Sequence, residues 1–232
     1  MANRPVFFPI TNGDFPGVVV RDMSFEWFAG MAKSQKQKSI ASLHDAVAKQ
    51  DLGQCLEVSS KSTDPVGNEL SAFMLTITTR RMGTTFTVEN AFQSSKVFEF
   101  GGPYSDLLSV SPLDAKKDPR LVESGALINF SFFGQQFSAN PKTHFYDWLY
   151  INALKQNTAL AEKSSLFQGF TDIEFNPKRS LNCQANALAL FHSLRSFKQL
   201  DEALESPEAF LKVCENHYEK YTEERDGQSS LF

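Results

Sequence analysis

Alternation of apolar and polar residues dominates the opening of the chain, and helical spacing takes over further along. Val6–Phe8, Val18–Arg21 and Ser24–Phe28 read as strands, the first two separated by the turn signals Asn12-Gly13 and Pro16-Gly17. Gly30 breaks this β section. A helix follows from about Ser34, with Ile40, Leu43, His44 and Val47 on one side. A histidine on that apolar side reads as a satisfied, partly buried core residue rather than a ligand. Cys55–Ser59 and Ser71–Thr79 are the next strands, joined by the turn-rich Ser62–Asn68. Phe86–Val88 pairs with the second of them through Arg80–Gly83. Ser111-Pro112 and Asp118-Pro119 each open a short helix, and Ala126–Phe133 is a further strand.

The rest is helical. Phe145, Trp148, Leu149, Asn152 and Ala153 form a core stripe, Phe170–Phe175 is irregular, and Ala185–Phe197 turns Leu190, Phe191, Leu194 and Phe197 inward. Ser206-Pro207 caps a last helix to about Glu224, and the 227–232 tail frays. The expected class is α+β: one domain over 1–232, mainly helical, with a small β-sheet built largely from the N-terminal half.

One stretch concentrates chemistry. In Thr85–Asp106, a β-prone start passes into a helical period over Glu89–Phe98, ended by the Gly101-Gly102-Pro103 turn. At about 100° per residue, Glu89, Phe92, Gln93 and Lys96 fall on one face. A carboxylate, an amide and an ammonium thus lie together. Helix stability alone explains a Glu near the start and a Lys near the end, so geometry leaves both an ordinary edge and a site open.

Composition narrows the classes. The chain has 232 residues, 41% of them apolar and 22% charged, with no apolar run long enough for a membrane span. Its 22 phenylalanines favour a core of aromatic wedges. The opening MANRPVFFPI lacks the layout of a signal peptide, and Cys55, Cys183 and Cys214 form no CxxC pair. A reducing, cytoplasmic setting is expected, with no metal and no cofactor. The net charge of −4 conceals a C-terminal segment, 199–226, with nine acids and three bases. The remaining body is mildly basic, with clusters at Lys33/Lys36/Lys38, Arg80/Arg81, Lys116/Lys117/Arg120 and Lys178/Arg179. That balance permits a phosphate or nucleic-acid ligand but not a grip on DNA by bulk charge. No GxGxxG, Walker loop, GxSxG or HExxH is present. The run Phe25–Ile40 sets aromatics before a glycine turn and a lysine-rich helix start, which suits a pyrophosphate as well as a solvated helix end.

Val88–Lys96, VENAFQSSK, resembles the ExxFQxxK helix of the NADAR (YbiA-like) family. The likeness is collinear. Ser111–Lys117 resembles the family's SP..AK/R segment, and Ala153–Leu160 (ALKQNTAL) its KF.QN..L helix. Phe170–Arg195 stands where the family has a Trp/Asp loop and a final helix, and Phe25–Lys38 where it has an F..F segment. The resemblance spans roughly 24–197, leaving 199–226 as an acidic helical appendage. Longer phrases, QKQKSI, FYDWLYINAL and FTDIEFNPK, are similar to the branch paired with DarT-type toxins. Two departures stand out: Asn90 and Ala91 replace aromatic positions after the Glu, and Phe175-Asn176-Pro177-Lys178 replaces a WG loop. The family's Asn near the last helix has no unique counterpart among Asn182, Gln184 and Asn186.

The resemblance implies an antitoxin that hydrolyses ADP-ribose from guanine in DNA, reversing an ADP-ribosyltransferase toxin. It gives Glu89 the central role and Lys96 a catalytic one, as electrostatic group, ribose contact or nucleophile. Trp27, Lys36, Lys38, Gln93, Tyr104, Asp106, Asp172 and Glu174 are its candidates for holding ADP-ribose. The implied partners are ADP-ribosylated DNA, ADP-ribose as product and the toxin, with no membrane. Two other outcomes remain open: an N-glycosidase for phosphorylated ribosyl intermediates of riboflavin synthesis, and a non-catalytic antitoxin that binds toxin or ADP-ribose.

Overall fold

A computed structural model of the chain describes residues 1–79, 83–176 and 183–219. In chain order the strands are β1 (Ala2–Pro9), β2 (Val18–Phe25), β3 (Cys55–Glu57), β4 (Thr76–Thr78), β5 (Thr85–Thr87), β6 (Lys96–Phe98), β7 (Leu127–Phe132), β8 (Gln135–Ser138) and β9 (Gly169–Thr171). The helices are α1 (Lys33–Ala48), α2 (Pro65–Glu69), α3 (Val88–Ser94), α4 (Pro112–Lys117), α5 (Arg120–Glu123), α6 (His144–Gln156), α7 (Thr158–Ser164), α8 (Gln184–Ser196), α9 (Leu200–Ala203) and α10 (Pro207–Val213), with a 3-10 turn at Ser105–Ser109. The fold is α+β. Its strands form three sheets, ordered β2-β1-β9-β3, β4-β5 and β6-β7-β8.

Alternation along β1 explains the layering. Val6 joins Met23, Phe25, Ile40, Leu43 and Val47 in a core under α1, whereas Phe7 joins Leu56, Phe170 and the α6 and α8 side chains on the other face. Helix α8 is buried at every position from Ala185 to Leu194, where alanines at 185, 187 and 189 let neighbours approach closely. Phe92, Phe130, Phe137 and Phe145 pack ring to ring at centroid distances from 4.6 to 6.2 Å. Aromatic wedges do fill the core.

Several elements differ from the expectation. Ser24 and Phe25 continue β2 rather than starting a strand, and Glu26–Phe28 lies outside it. Only Thr76–Thr78 of the Ser71–Thr79 strand is β, because Ser71–Leu75 turns back on itself through Met74 and Leu75 N–H bonds to the Ser71 carbonyl. Ser62–Asn68 holds a short helix, α2, with Pro65 in its first turn and Asp64 accepting from Val66 N–H at 2.8 Å. The irregular Phe170–Phe175 contains β9, an inner strand: Gly169–Thr171 is wholly buried, and a Cβ on Gly169 would lie 2.7 Å from Phe8. Strands β7, β8 and β9 come from the second half of the chain. The Ser111 and Ser206 caps form as read. Arg80/Arg81, Lys178/Arg179, Asn182, the end of the last helix and the tail lie outside the described residues.

The acidic C-terminal segment starts inside the core. Phe210, Cys214 and Tyr218 are buried, and Tyr218 Oη donates to Asp147 Oδ2 of α6 at 3.1 Å. Asp147 is 0% exposed, its Oδ1 has no hydrogen-bond partner among the described residues, and burial pushes its pKa up to about 7. A carboxyl raised on folding favours the fold while protonated. Its contribution is complete below the unfolded pKa near 4 and is lost as pH rises to 7. The buried His217, lowered to about 4 by desolvation, works in the opposite sense. We expect Asp147→Asn to isolate the first effect. Relative to the wild type it should gain on the order of 1–3 kcal/mol between pH 4 and pH 8, read by urea unfolding across pH. An unchanged difference would contradict the assignment.

Candidate active site

Helix α3 is held at both ends by named bonds. Thr87 caps it, its Oγ1 accepting from Asn90 N–H at 3.2 Å and donating to Asn90 Oδ1 at 2.5 Å. The Val88 and Glu89 N–H groups donate to the Leu75 and Ala72 carbonyls of the turn before β4, both at 2.9 Å. The far end stops at Ser94 because Ser94 and Ser95 hydroxyls both bond back to the Ala91 carbonyl, competing with a further turn. Lys96 therefore stands on β6, paired with Phe130 of β7, and not on the helix that its spacing suggested.

The expected triad nevertheless meets. Gln93 Nε2 donates to Glu89 Oε1 at 2.8 Å, and Lys96 Nζ donates to Gln93 Oε1 at 2.7 Å. The amide joins carboxylate to amine with both of its ends used correctly. Glu89 is 5% exposed. Lys96 lies over the Phe92 ring at 4.7 Å, and burial lowers its pKa to about 8; Glu89 opposes that shift and Lys116 reinforces it. Lys116 reaches in from α4, its Nζ 3.8 Å from Glu89 Oε1 and 5.0 Å from the centre of the Phe73 ring. Oε1 thus receives both neighbours, leaving Oε2 without a donor among the described residues.

The other candidates fall into two further groups. On α1 and the loop after β9, Lys36 pairs with Glu174 at 3.2 Å and lies over Trp27 at 4.8 Å, while Arg4 lies against the same ring at 5.3 Å. Asp172 belongs to that loop, accepting from Glu174 and Phe175 N–H at 3.0 and 3.2 Å. An indole with two cations and a carboxylate beside it suits a base and a diphosphate. Gln184 links the end of β3 to the turn that holds α3: its Oε1 accepts from Ala72 N–H at 2.7 Å and its Nε2 donates to the Val58 carbonyl, and its amide helps to lower the neighbouring Asp172 against burial. The Tyr146 hydroxyl of α6 feels the charges of both Glu89 and Asp172.

Tyr104 and Asp106 form the second group, around Arg120. The guanidinium holds Asp106 at 2.7 Å and Asp118 at 2.8 Å over the Tyr104 ring at 4.4 Å, keeping both carboxyls below their usual pKa. Lys38 is exposed, about 200° round α1 from Lys36, and is not brought to Trp27.

Arg4, Lys116 and Tyr146 were not among the candidates of the sequence reading, and Gln184 was weighed only as a counterpart of the family's Asn. Lys116 had two signals, its place in the segment matched after the helix and in the Lys116/Lys117/Arg120 cluster. The others are set by tertiary contacts. A surface cleft of about 600 Å³ between β1, α7 and α8, lined by Phe8, His192 and Arg195, holds no carboxylate and none of these residues. Among the described residues no group of three or more His, Cys, Asp or Glu is placed to hold a metal. No helix among them is long and apolar enough to cross a membrane.

The site is thus a Glu–Gln pair on a short helix and a Lys on the following strand, set on an α+β frame. Over residues 2–224 the chain matches the family described as DarT1-associated NADAR antitoxin, and it belongs to that family. No curated protein matches it.

The pKa of Lys96 supplies a test. Glu89→Gln removes a charge that raises it and should move it below 8, whereas Lys116→Met should move it up. Lysine-selective NMR titration reads both shifts, and equal values in all three proteins would refute the contact.

Proposed function

We propose that this antitoxin hydrolyses the N-glycosidic bond between ADP-ribose and guanine in DNA, reversing a DarT-type toxin. The Glu89–Gln93–Lys96 relay carries the reading. Loss of the base amine develops positive charge at the anomeric carbon, through an oxocarbenium-like transition state. A carboxylate there stabilises that charge and takes a proton from the attacking water, and Glu89 Oε2 is the oxygen left for this role. Gln93 fixes the carboxylate's rotation, and Lys116 keeps a cation beside it.

The Trp27–Lys36–Arg4 patch accounts for the adenine and diphosphate, and the Gln184 link keeps it in register with Glu89. A second reading of Lys96 follows from its pKa. At pH 7 about one molecule in ten carries the free amine, which suits a nucleophile that forms a transient imine with the opened ribose. Borohydride during turnover would then add ADP-ribose mass to Lys96.

The decisive substrate is an oligonucleotide carrying ADP-ribosylated guanine, with released ADP-ribose and restored guanine identified by mass. Glu89→Gln should keep ADP-ribose binding and lose about 10²–10⁴-fold in rate. Retained turnover in that variant removes Glu89 from the mechanism. Release from a phosphorylated ribosyl amine but not from DNA would favour the riboflavin-intermediate reading, and binding without release would favour a non-catalytic antitoxin.

A further inference from the structure

Close to Glu89 stands an aromatic side chain that the core does not use. Phe73 lies in the turn before β4 and is half-buried. Its neighbours Ala72 and Leu75 belong to the main hydrophobic cluster, whereas the Phe73 ring belongs to neither cluster. The backbone that carries it is tied down. Phe73 N–H donates to Ser71 Oγ at 3.2 Å, and the Met74 and Leu75 N–H groups donate to the Ser71 carbonyl at 2.8 Å. Ala72 is held on both sides, its N–H by Gln184 and its carbonyl by the Glu89 N–H. The ring therefore springs from a residue next to the one that anchors the first turn of α3.

What meets the ring is a lysine. Lys116 Nζ lies 5.0 Å from the ring centre and 3.8 Å from Glu89 Oε1, the latter too long for a hydrogen bond. Its ammonium carries three donors, and none has a hydrogen-bond acceptor among the described residues, while the side chain is 54% exposed. An aromatic face outside the core and an ammonium with open donors thus stand together at the edge of the Glu89 carboxylate.

A purine supplies what each of them lacks. Its flat face stacks on an aromatic ring, and guanine presents the O6 and N7 acceptors to which a lysine donates. The ADP-ribose half has its own place in the reading above, with the adenine and diphosphate at Trp27, Lys36 and Arg4. An exposed cation–π contact is weaker than a base–aromatic stack, so an arriving base takes the ring face from the ammonium. The flexible lysine stem then lets the ammonium turn to the edge of the base.

We propose that Phe73 stacks on the guanine whose amine carries ADP-ribose, and that Lys116 donates to the acceptor edge of that base. The proposal rests on the reading of this chain as acting on ADP-ribosylated guanine. It adds a seat for the base to the seat for ADP-ribose, and Phe73 touches only the base.

That division gives the test. Calorimetry in the Glu89→Gln background, where turnover is blocked, uses two probes: ADP-ribose, and an oligonucleotide carrying ADP-ribosylated guanine. Phe73→Ala should weaken the oligonucleotide about fivefold or more and leave ADP-ribose within about twofold. Phe73→Tyr should bind both probes as its parent does. Phe73→Leu, apolar but without a π face, should lose the oligonucleotide as the alanine variant does. Lys116→Met should weaken the oligonucleotide selectively, and an unchanged affinity there would overturn the lysine contact. Unchanged oligonucleotide binding in Phe73→Ala would overturn the stack, as would a parallel loss of both probes or full rescue by leucine. Turnover by the wild type is read separately. A wild type that shows this binding pattern but releases nothing would overturn the glycohydrolase reading and leave the seat of the base standing. Release by the wild type with no selective loss in Phe73→Ala would overturn the seat alone.

Discussion

The amide of Gln184 joins the paired ends of β3 and β9 to the turn before β4. Its oxygen takes the Ala72 N–H and its nitrogen serves the Val58 carbonyl, so both ends of the amide are used. Because the Ala72 carbonyl holds the Glu89 N–H, the first turn of α3 is fixed by way of α8. Remove that amide and α3 loses its tie to the paired ends of β3 and β9. Buried backbone groups left without partners would follow, each at a cost of about 1–3 kcal/mol.

Around this link the site is built at the ends of elements rather than along them. Glu89 is the second residue of a seven-residue helix, Lys96 opens a three-residue strand, and Asp172 follows another. Short elements bring chemically unlike groups together, but their own hydrogen bonds cannot hold them. The surroundings do so instead. Asn90 donates to the Leu107 and Val110 carbonyls at 2.7 and 3.0 Å, fastening the 3-10 turn to α3. Gly102, at a φ of +87°, lies so close to Lys96 that a Cβ would stand 2.2 Å from its carbonyl oxygen. The Gly-Gly-Pro turn that closes the motif is thus a spacer for the lysine as well as a stop.

How much of this was legible follows from the range of each interaction. Caps are local, so Ser111, Ser206 and the β4–β5 pairing were read correctly. The Glu89–Lys96 relation was right in outcome and wrong in cause. Spacing suggested one helical face, whereas two serines end the helix and an amide spans the gap. β9 was invisible because a three-residue buried strand with a glycine has no period to detect. Tyr104 and Asp106 were adjacent to the motif in sequence, yet Arg120, fourteen residues beyond Asp106, claims them. The buried Glu57 of β3 carried no signal at all, since a strand carboxylate reads as exposed until its partners are known.

The placement of charge accounts for why so many acids in this protein sit against their usual chemistry. Asp106 and Asp118 meet a guanidinium at the surface and stay ionised. Glu57, Asp147 and Asp172 have hydrogen-bond donors but, among the described residues, no cation, and burial raises all three. Donors can stabilise a buried carboxylate but do not neutralise it, so such a group tends to keep a proton. At Asp147 that choice bears on stability, through the bond to Tyr218 that docks the C-terminal segment. At Glu57 and Asp172 the same physics operates at the paired ends of β3 and β9, tied by Gln184 to the turn that holds Glu89, a carboxylate that has Lys116 and Gln93 beside it. Glu89, with a cation beside it, and Asp172, held among the described residues by donors alone, are thus carboxyls in opposite settings at the two ends of the Gln184 link.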